Sequence, residues 1–262
     1  MMKAIKPFLA CLCAGAFLLL LTAEARAVTL LDPVEGKKEA QELVGKLLAL
    51  QPDGNATNYG TLKISPKDKS KRVQIPMRLS VVVASRNWTN IYETMPTNSA
   101  DASQQLFITH DGTNFGRYSL INKTSNSWYT VKLSSPDRPL HDEMLLPFAG
   151  SDFSIGDLGL EFLHWPSQRI VKKEIKRSCG CSVLESLNPD PDSKGYSKVL
   201  TWFDNDSLGV VQAEAYDAKG DEVKEFIPKS VTKVNGQWQV EEIEMDNTQT
   251  GSRTVITFDV GK

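Results

Sequence analysis

Few residues in this 262-residue sequence have the types and spacing that chemistry requires. Three histidines, His110, His141 and His164, are the natural candidates for a general base near neutral pH. His110-Asp111 and His141-Asp142 are sequence neighbours, but adjacent residues of a strand face opposite ways, so adjacency alone makes no relay. A hydrolase would need His141 or His164 beside an acid supplied from elsewhere. No G-x-S-x-G elbow, H-E-x-x-H helix, phosphate loop or dinucleotide glycine pattern occurs. "NPDPDSKG" at 188–195 spaces Asn188, Asp190 and Asp192 like the opening of a calcium loop. It lacks the glycine at the sixth position, and Val199 stands where the terminal Glu belongs, so a solvated turn accounts for it. Cys179 and Cys181, in "SCGCS", fall on one face of a strand about 7 Å apart, too far to bridge without a bend at Gly180. A strained disulfide and two packed thiols both stay open. Zinc would need further ligands at workable spacing, and none is present. The sequence therefore points away from an enzyme and implies no cofactor or metal.

The elements that would position these groups begin with a leader. Lys3 and Lys6 precede an apolar run from Phe8 to Leu21, and Ala25-Arg26-Ala27 supplies a cleavage signal. That pattern predicts a secretory signal peptide over residues 1–27 and a mature chain of 28–262. A retained anchor is the lesser reading, because the run is short for a membrane span. Cys11 in "FLAC" loosely resembles a lipobox, but a cut there leaves only a stub of the apolar run. Of 30 Lys and Arg and 32 Asp and Glu, the leader holds Lys3, Lys6, Arg26 and Glu24, leaving a formal net charge of −4. This is not the basic footprint of a nucleic-acid binder.

"DPVEGKKEAQELVGKLLALQPDG" reads as a helix with Asp32 as N-cap and Pro33 in the first turn. Val34, Ala40, Leu43, Val44, Leu47, Leu48 and Leu50 form its apolar stripe. The period then drops to two. "RVQIPMRLSVVVAS" puts Val73, Ile75, Met77, Leu79, Val81 and Val83 on one dry face of a strand of about 11 residues. Pro76 cannot donate to a ladder, so the strand is expected to bend, bulge or lie at an edge there. Such length favours a strongly curved sheet or barrel. Shorter strand candidates follow on both sides of an apolar segment near 139–165, about five before it and about seven after, joined by turns that favour antiparallel pairing. No linker, repeat or low-complexity stretch divides them, so a single domain is expected.

That apolar segment is itself anomalous. "AGSDFSIGDLGLEFLHWP" at 149–166 carries Phe153, Ile155, Leu158, Leu160, Phe162, Leu163 and Trp165 beside two glycines, Gly156 and Gly159. Ile155, Leu158, Phe162 and Trp165 recur at helical steps behind Ser154, a good N-cap, while each glycine costs roughly 1 kcal/mol against alanine. Either a core helix or a cover that leaves its seat cheaply fits this pattern.

The second half resembles a known family. "LPFAGSDFSIGDL", "RSCGCSVLES", "YSKVLTWFDNDSLGVVQAEAYDAKGDEVKEF", "VNGQWQVEEIEMDN" and "SRTVITF" fall in the order of the bacterial outer-membrane lipoprotein-sorting proteins. The branch is that of an uncharacterised treponemal lipoprotein domain, more distantly related to LolA and LolB. Trp202, the Tyr216–Gly220 turn and Trp238 carry most of the likeness, which covers about residues 140–260; the second cysteine departs from it. The resemblance implies a mainly β fold with a helical lid: a half-open antiparallel β-barrel of about eleven strands around a dry cavity. It implies a non-catalytic periplasmic carrier or acceptor of lipid or lipoprotein acyl chains, associated with the outer membrane or not, exchanging cargo with membrane-associated donor and acceptor proteins. No residue matches the lid-locking arginine of LolA. On this reading the cavity and lid are Ile75, Met77, Leu79, Val81, Val83, Ile155, Leu158, Phe162 and Trp165. The alternatives are a cell-envelope interaction module with a solid core and, third, a hydrolase.

Overall fold

The computed structural model describes residues 28–68, 71–98, 102–112, 116–123, 128–132, 142–190, 195–234 and 237–260. The leader with Cys11, and also His141 and Asp192, lie outside them. The chain opens with β1 (Thr29–Leu30) and α1 (Pro33–Ala49). Six strands follow: β2 (Ala56–Ser65), β3 (Val73–Val83), β4 (Trp88–Thr94), β5 (Ser103–His110), β6 (Arg117–Lys123) and β7 (Trp128–Lys132). After an insert that includes α2 (Ile155–Leu158) come β8 (Ser167–Lys176), β9 (Cys179–Leu187), β10 (Lys198–Asp204) and β11 (Val210–Tyr216). The chain ends in β12 (Glu222–Val234), β13 (Gln237–Asn247) and β14 (Ser252–Phe258).

All of these strands join one sheet in the order β1-β8-β9-β10-β11-β12-β13-β14-β2-β3-β4-β5-β6-β7. Two antiparallel meanders, β2 to β7 and β8 to β14, are welded along β14 and β2, where Ile256 faces Leu62 across the ladder. The sheet does not close, since β1 and β7 remain as edges. The described strands number fourteen, not about eleven. Six precede the insert and seven follow it, and Thr29–Leu30 adds an edge strand too short to leave an alternation signal.

Pro76 is not in a bulge but lies at a local edge, since the pairing of β3 with β4 begins only at Met77. Its strand is internal, and Thr61 opposite on β2 stays in register. The Pro76 carbonyl accepts the Met95 amide at 2.7 Å on the β4 side. The missing N–H of an antiparallel residue points the same way as its carbonyl, and β4 has ended at Thr94. The proline thus sits where no ladder bond is required.

Two apolar clusters fill the covered inner face. The first gathers Leu62, Met77, Leu106, Ile108, Leu120 and Ile256 from the welded strands with Met144, Phe148, Phe153, Ile155 and Leu158 from the insert. The second gathers Ala40 and Val44 of α1, strand residues such as Ile170, Leu184 and Phe203, and Phe162, Leu163 and Trp165 of the insert. Asp32 caps α1 as expected, its carboxylate accepting the Val34 amide at 2.9 Å. The stripe is shorter than its pattern: Val34 and Leu50 are exposed, Val34 lying away from the face that buries Gly36, Ala40 and Val44.

The helix docks through Gly36, where an added Cβ would stand 2.3 Å from the Ile170 carbonyl oxygen. Gly45, on the same helix, has nothing near it. Intrinsic propensity alone would make alanine stabilising at both by roughly 1 kcal/mol. Urea denaturation should instead show Gly45→Ala more stable and Gly36→Ala less stable than the parent. Gains at both sites would mean that α1 does not seat on β8.

Candidate functional site

The insert must carry the chain from β7, one edge, to β8, beside the other. It crosses the inner face in short pieces: helical turns at Asp142–Leu145 and Phe148–Gly150, then α2, then a turn at Glu161–His164. Ser154 caps α2 with a reciprocal bond: the Asp157 amide donates to Ser154 Oγ at 3.2 Å, and the Ser154 amide donates to Asp157 Oδ2 at 2.8 Å. The single helix expected through Ile155, Leu158, Phe162 and Trp165 is not formed. The chain breaks at Leu160, which adopts φ 50°, and the two halves feed different clusters.

Gly159, just before the break, packs against β6. A Cβ there would lie 2.1 Å from the Tyr118 hydroxyl, so the glycine serves close approach of the insert backbone to β6 rather than loose hinging. Tyr118 is pinned in turn, donating to Glu161 Oε2 at 2.7 Å.

Polar contacts tie the insert to the sheet from one side to the other. The Ala149 amide donates to Gln104 Oε1 of β5 at 2.7 Å, and Thr254 of β14 donates to Asp152 Oδ2 at 2.7 Å. Gln168 of β8 donates to the Phe162 and Leu163 carbonyls at 3.2 and 3.0 Å. On β12, Lys224 Nζ reaches Asp157 Oδ2 at 3.0 Å, and the Tyr196 hydroxyl donates to Asp157 Oδ1 at 3.0 Å. Burial alone would lower the Lys224 pKa, but Asp157 and Tyr196 more than reverse that and hold it above its ordinary value. Removing one partner of such a buried pair is expected to cost about 3–5 kcal/mol.

Glu161 and His110 are among the groups perturbed where the insert meets β4–β6. Burial raises the Glu161 carboxyl to about 7, against a smaller lowering by the Tyr118 hydrogen bond. His110 stacks on Trp88 with ring centroids 3.8 Å apart. Burial first and His164 second push it down to about 4, with Asp111 opposing. The histidine pair is therefore His110 with His164, reached through the insert's last turn.

A residual hollow beside the second cluster is lined by Leu160, Phe162, Val199, Ala213 and Phe226, with Asp157, Tyr196 and Lys224 at its polar side. Its volume is about 20 Å³, room for one water-sized guest. This hollow is too small to hold a hydrocarbon chain. Among the described residues no group of three or more His, Cys, Asp or Glu is placed to hold a metal ion. Asn188 organises its own turn, accepting the Asp190 amide at 2.9 Å and donating to the Tyr196 carbonyl at 2.7 Å. Cys179 and Cys181 are free thiols.

The sequence profile of a family described as "uncharacterized protein" matches residues 109–260. The chain belongs to that family. No curated protein matches it. Among solved structures, a DUF1329 family protein from Desulfovibrio piger is similar at TM-score 0.69 and 16% identity, over 87% of this chain and 95% of that one. A domain from Vibrio parahaemolyticus described as an outer membrane lipoprotein-sorting protein gives 0.65 and 21%, over 88% and 95%. A LolA superfamily protein from Nitrosomonas europaea gives 0.56 and 16%, over 86% and 91%. The resemblance read from the second half is thus borne out, and the fold is LolA-like. No helix among the described residues is long and apolar enough to cross a membrane.

Of the expected cavity and lid residues, Ile75, Met77, Leu79, Ile155 and Leu158 meet in the first cluster, while Phe162 and Trp165 lie in the second. Val81 and Val83 are half-buried and belong to neither. The polar residues Tyr118, Glu161, Asp157, Tyr196 and Lys224 were not singled out by the sequence reading. A signal existed for one of them: Asp157 completes the Ser154-x-x-Asp157 box. Lys224 shares its strand phase with exposed Glu222 as well as with Phe226, so alternation does not mark it.

Glu161 sets a pH dependence with a definite sign. Between its ordinary 4.5 and about 7 the folded chain keeps a proton that the unfolded chain releases, so stability falls as pH rises through that window. The full effect is on the order of 3 kcal/mol. His110 works oppositely: unfolded chains bind its proton between about 4 and 6.5, so its contribution rises with pH. Thermal melts of Glu161→Gln should therefore climb more steeply from pH 5 to 7 than those of the parent, with the variant the more stable at pH 8. Superimposable profiles would mean that Glu161 is not buried against Tyr118.

Proposed function

We propose that this protein is a non-catalytic carrier or acceptor of lipid or lipoprotein acyl chains, working by exchange of its insert for hydrocarbon. One observation carries the reading. The insert buries Met144, Phe148, Phe153, Ile155, Leu158, Phe162, Leu163 and Trp165 on the inner face, yet among the described residues it pairs with no strand of the sheet. Withdrawing it breaks side-chain contacts and leaves the strand ladders intact. What it uncovers is an apolar floor that includes Ile75, Met77 and Leu79.

The LolA-like fold and the description of the Vibrio domain as lipoprotein-sorting support the same reading. In it, residues 1–27 direct export to the periplasm, and 28–262 act as one lipid-binding domain. Membrane-associated donor and acceptor proteins would supply and receive the cargo. Physical chemistry favours exchange over a standing hollow. An acyl chain of ~14 methylenes gains about 11 kcal/mol on leaving water, and a preformed cavity realising all of it would release slowly. An insert that refills the space gives much of that energy back on release.

The filled interior also favours a second reading, a cell-envelope interaction module with a solid core. Native mass spectrometry of unheated protein, with uptake of a fluorescent acyl probe, separates the two. Gly159→Ala should raise uptake by driving the insert off Tyr118, and Phe162→Ala should change probe affinity. A folded parent and a folded Gly159→Ala protein that both carry no lipid and take up no probe would leave only the interaction module.

A further inference from the structure

The polar side of the hollow has an unusual division between moving and fixed parts. Asp157 belongs to the insert, whereas Lys224 belongs to β12 and Tyr196 to the segment entering β10. The Lys224 side chain is only 17% exposed, and its ammonium also lies 5.5 Å from the centre of the Tyr196 ring. If the insert withdraws, its carboxylate leaves with it. A cation and a phenol donor then remain at the end of an apolar trough, beside Phe226 and Ala213. A guest that is hydrocarbon throughout would leave that cation buried and unmatched, which is strongly unfavourable. A guest with an anionic end restores the pairing with the geometry Asp157 already demonstrates.

We infer that Lys224 and Tyr196 form the seat for the anionic head, carboxylate or phosphate, of an acyl amphiphile that takes the place of Asp157 when the insert withdraws. The inference rests on the carrier reading and deepens it. Asp157 is then a stand-in for the ligand head: the empty protein is closed by the kind of group its cargo presents. It also makes the insert selective, since an uncharged chain must displace the apolar contacts without compensating the lysine.

The test compares three ligands with the same hydrocarbon chain: oleate, oleoyl lysophosphatidate and oleyl alcohol, each titrated into purified protein and read by native mass spectrometry and displacement of an uncharged fluorescent probe. One or both anions should bind about ten-fold or more tighter than the alcohol, and their ranking tells a carboxylate seat from a phosphate seat. Lys224→Met should erase that preference while alcohol binding persists. Asp157→Asn, which keeps the lysine and removes its rival anion, should lower the melting temperature and strengthen anion binding. Should Lys224→Met fail to fold, the Asp157→Asn result decides alone. Equal binding of all three ligands, or unchanged preference in Lys224→Met, overturns the head-group seat and leaves the carrier reading standing. Binding of none of them overturns both.

Discussion

A meander that ends at one edge of a sheet and resumes beside the other must send its chain across the face. That constraint governs this protein. β7 and β8 lie near opposite ends of a fourteen-stranded order, so the residues between them have to span the sheet. The same face is the dry one and needs cover. Connection and cover are therefore a single segment, held in the chain at both ends. A separate lid could leave entirely; on the carrier reading, a segment held at both ends is lifted only as a strap and returns to the same seat.

The seat is specified by polar atoms and stabilised by apolar ones. A hydrogen bond contributes a net of only about 1 kcal/mol, but a buried group left unmatched loses about 1–3. Gln104, Thr254, Tyr118, Gln168 and Lys224 each meet the insert at a different strand. Apolar side chains alone would tolerate sliding; these contacts fix one register. Their penalty when unmade falls on whichever partner stays behind, and at Lys224 that partner is a charge. The insert can thus be firmly placed and still be exchangeable, provided the incoming molecule answers the groups it strands.

Alternation and turn chemistry made nearly every strand legible in the sequence, because a sheet with one dry face writes its period directly into residues such as Ile75, Met77 and Leu79. Helix α1 was legible through Asp32 and Pro33. The insert was visible as an apolar anomaly but not as a path. Its residues obey helical spacing, and nothing local shows that Gly159 must lie against a tyrosine some forty positions earlier, or that Leu160 turns left-handed. Such contacts depend on the crossing geometry, which periodicity does not encode. Pro76 left three outcomes open for the same reason: only the point where β4 stops shows that the proline sits at a local edge. Lys224 was not legible either, because Glu222 and Phe226 share its phase on β12 while buried Val223 and Ile227 hold the other.

Magnitudes narrow which part of the strap exchanges. Fully burying an aliphatic or aromatic side chain is worth roughly 1.5–3 kcal/mol, so the eight buried in the insert represent roughly 12–24 kcal/mol, more than the ~11 of one 14-methylene chain. From Asp157 to Trp165 there are four, Leu158, Phe162, Leu163 and Trp165, worth roughly 6–12. Costs are concentrated in that same stretch. Leu160 holds a left-handed conformation that disfavours non-glycine residues by about 1 kcal/mol or more. The Trp165 indole Nε1 is buried without an acceptor, and Glu161 is a buried carboxyl. Before it, Phe148 and Phe153 sit deep in the first cluster and Asp152 is bonded to Thr254. A single chain is therefore matched to the segment from Asp157 to Trp165 and insufficient for the whole. On the carrier reading the front half of the strap stays as an anchor, and the back half, bearing Asp157, is what the cargo replaces.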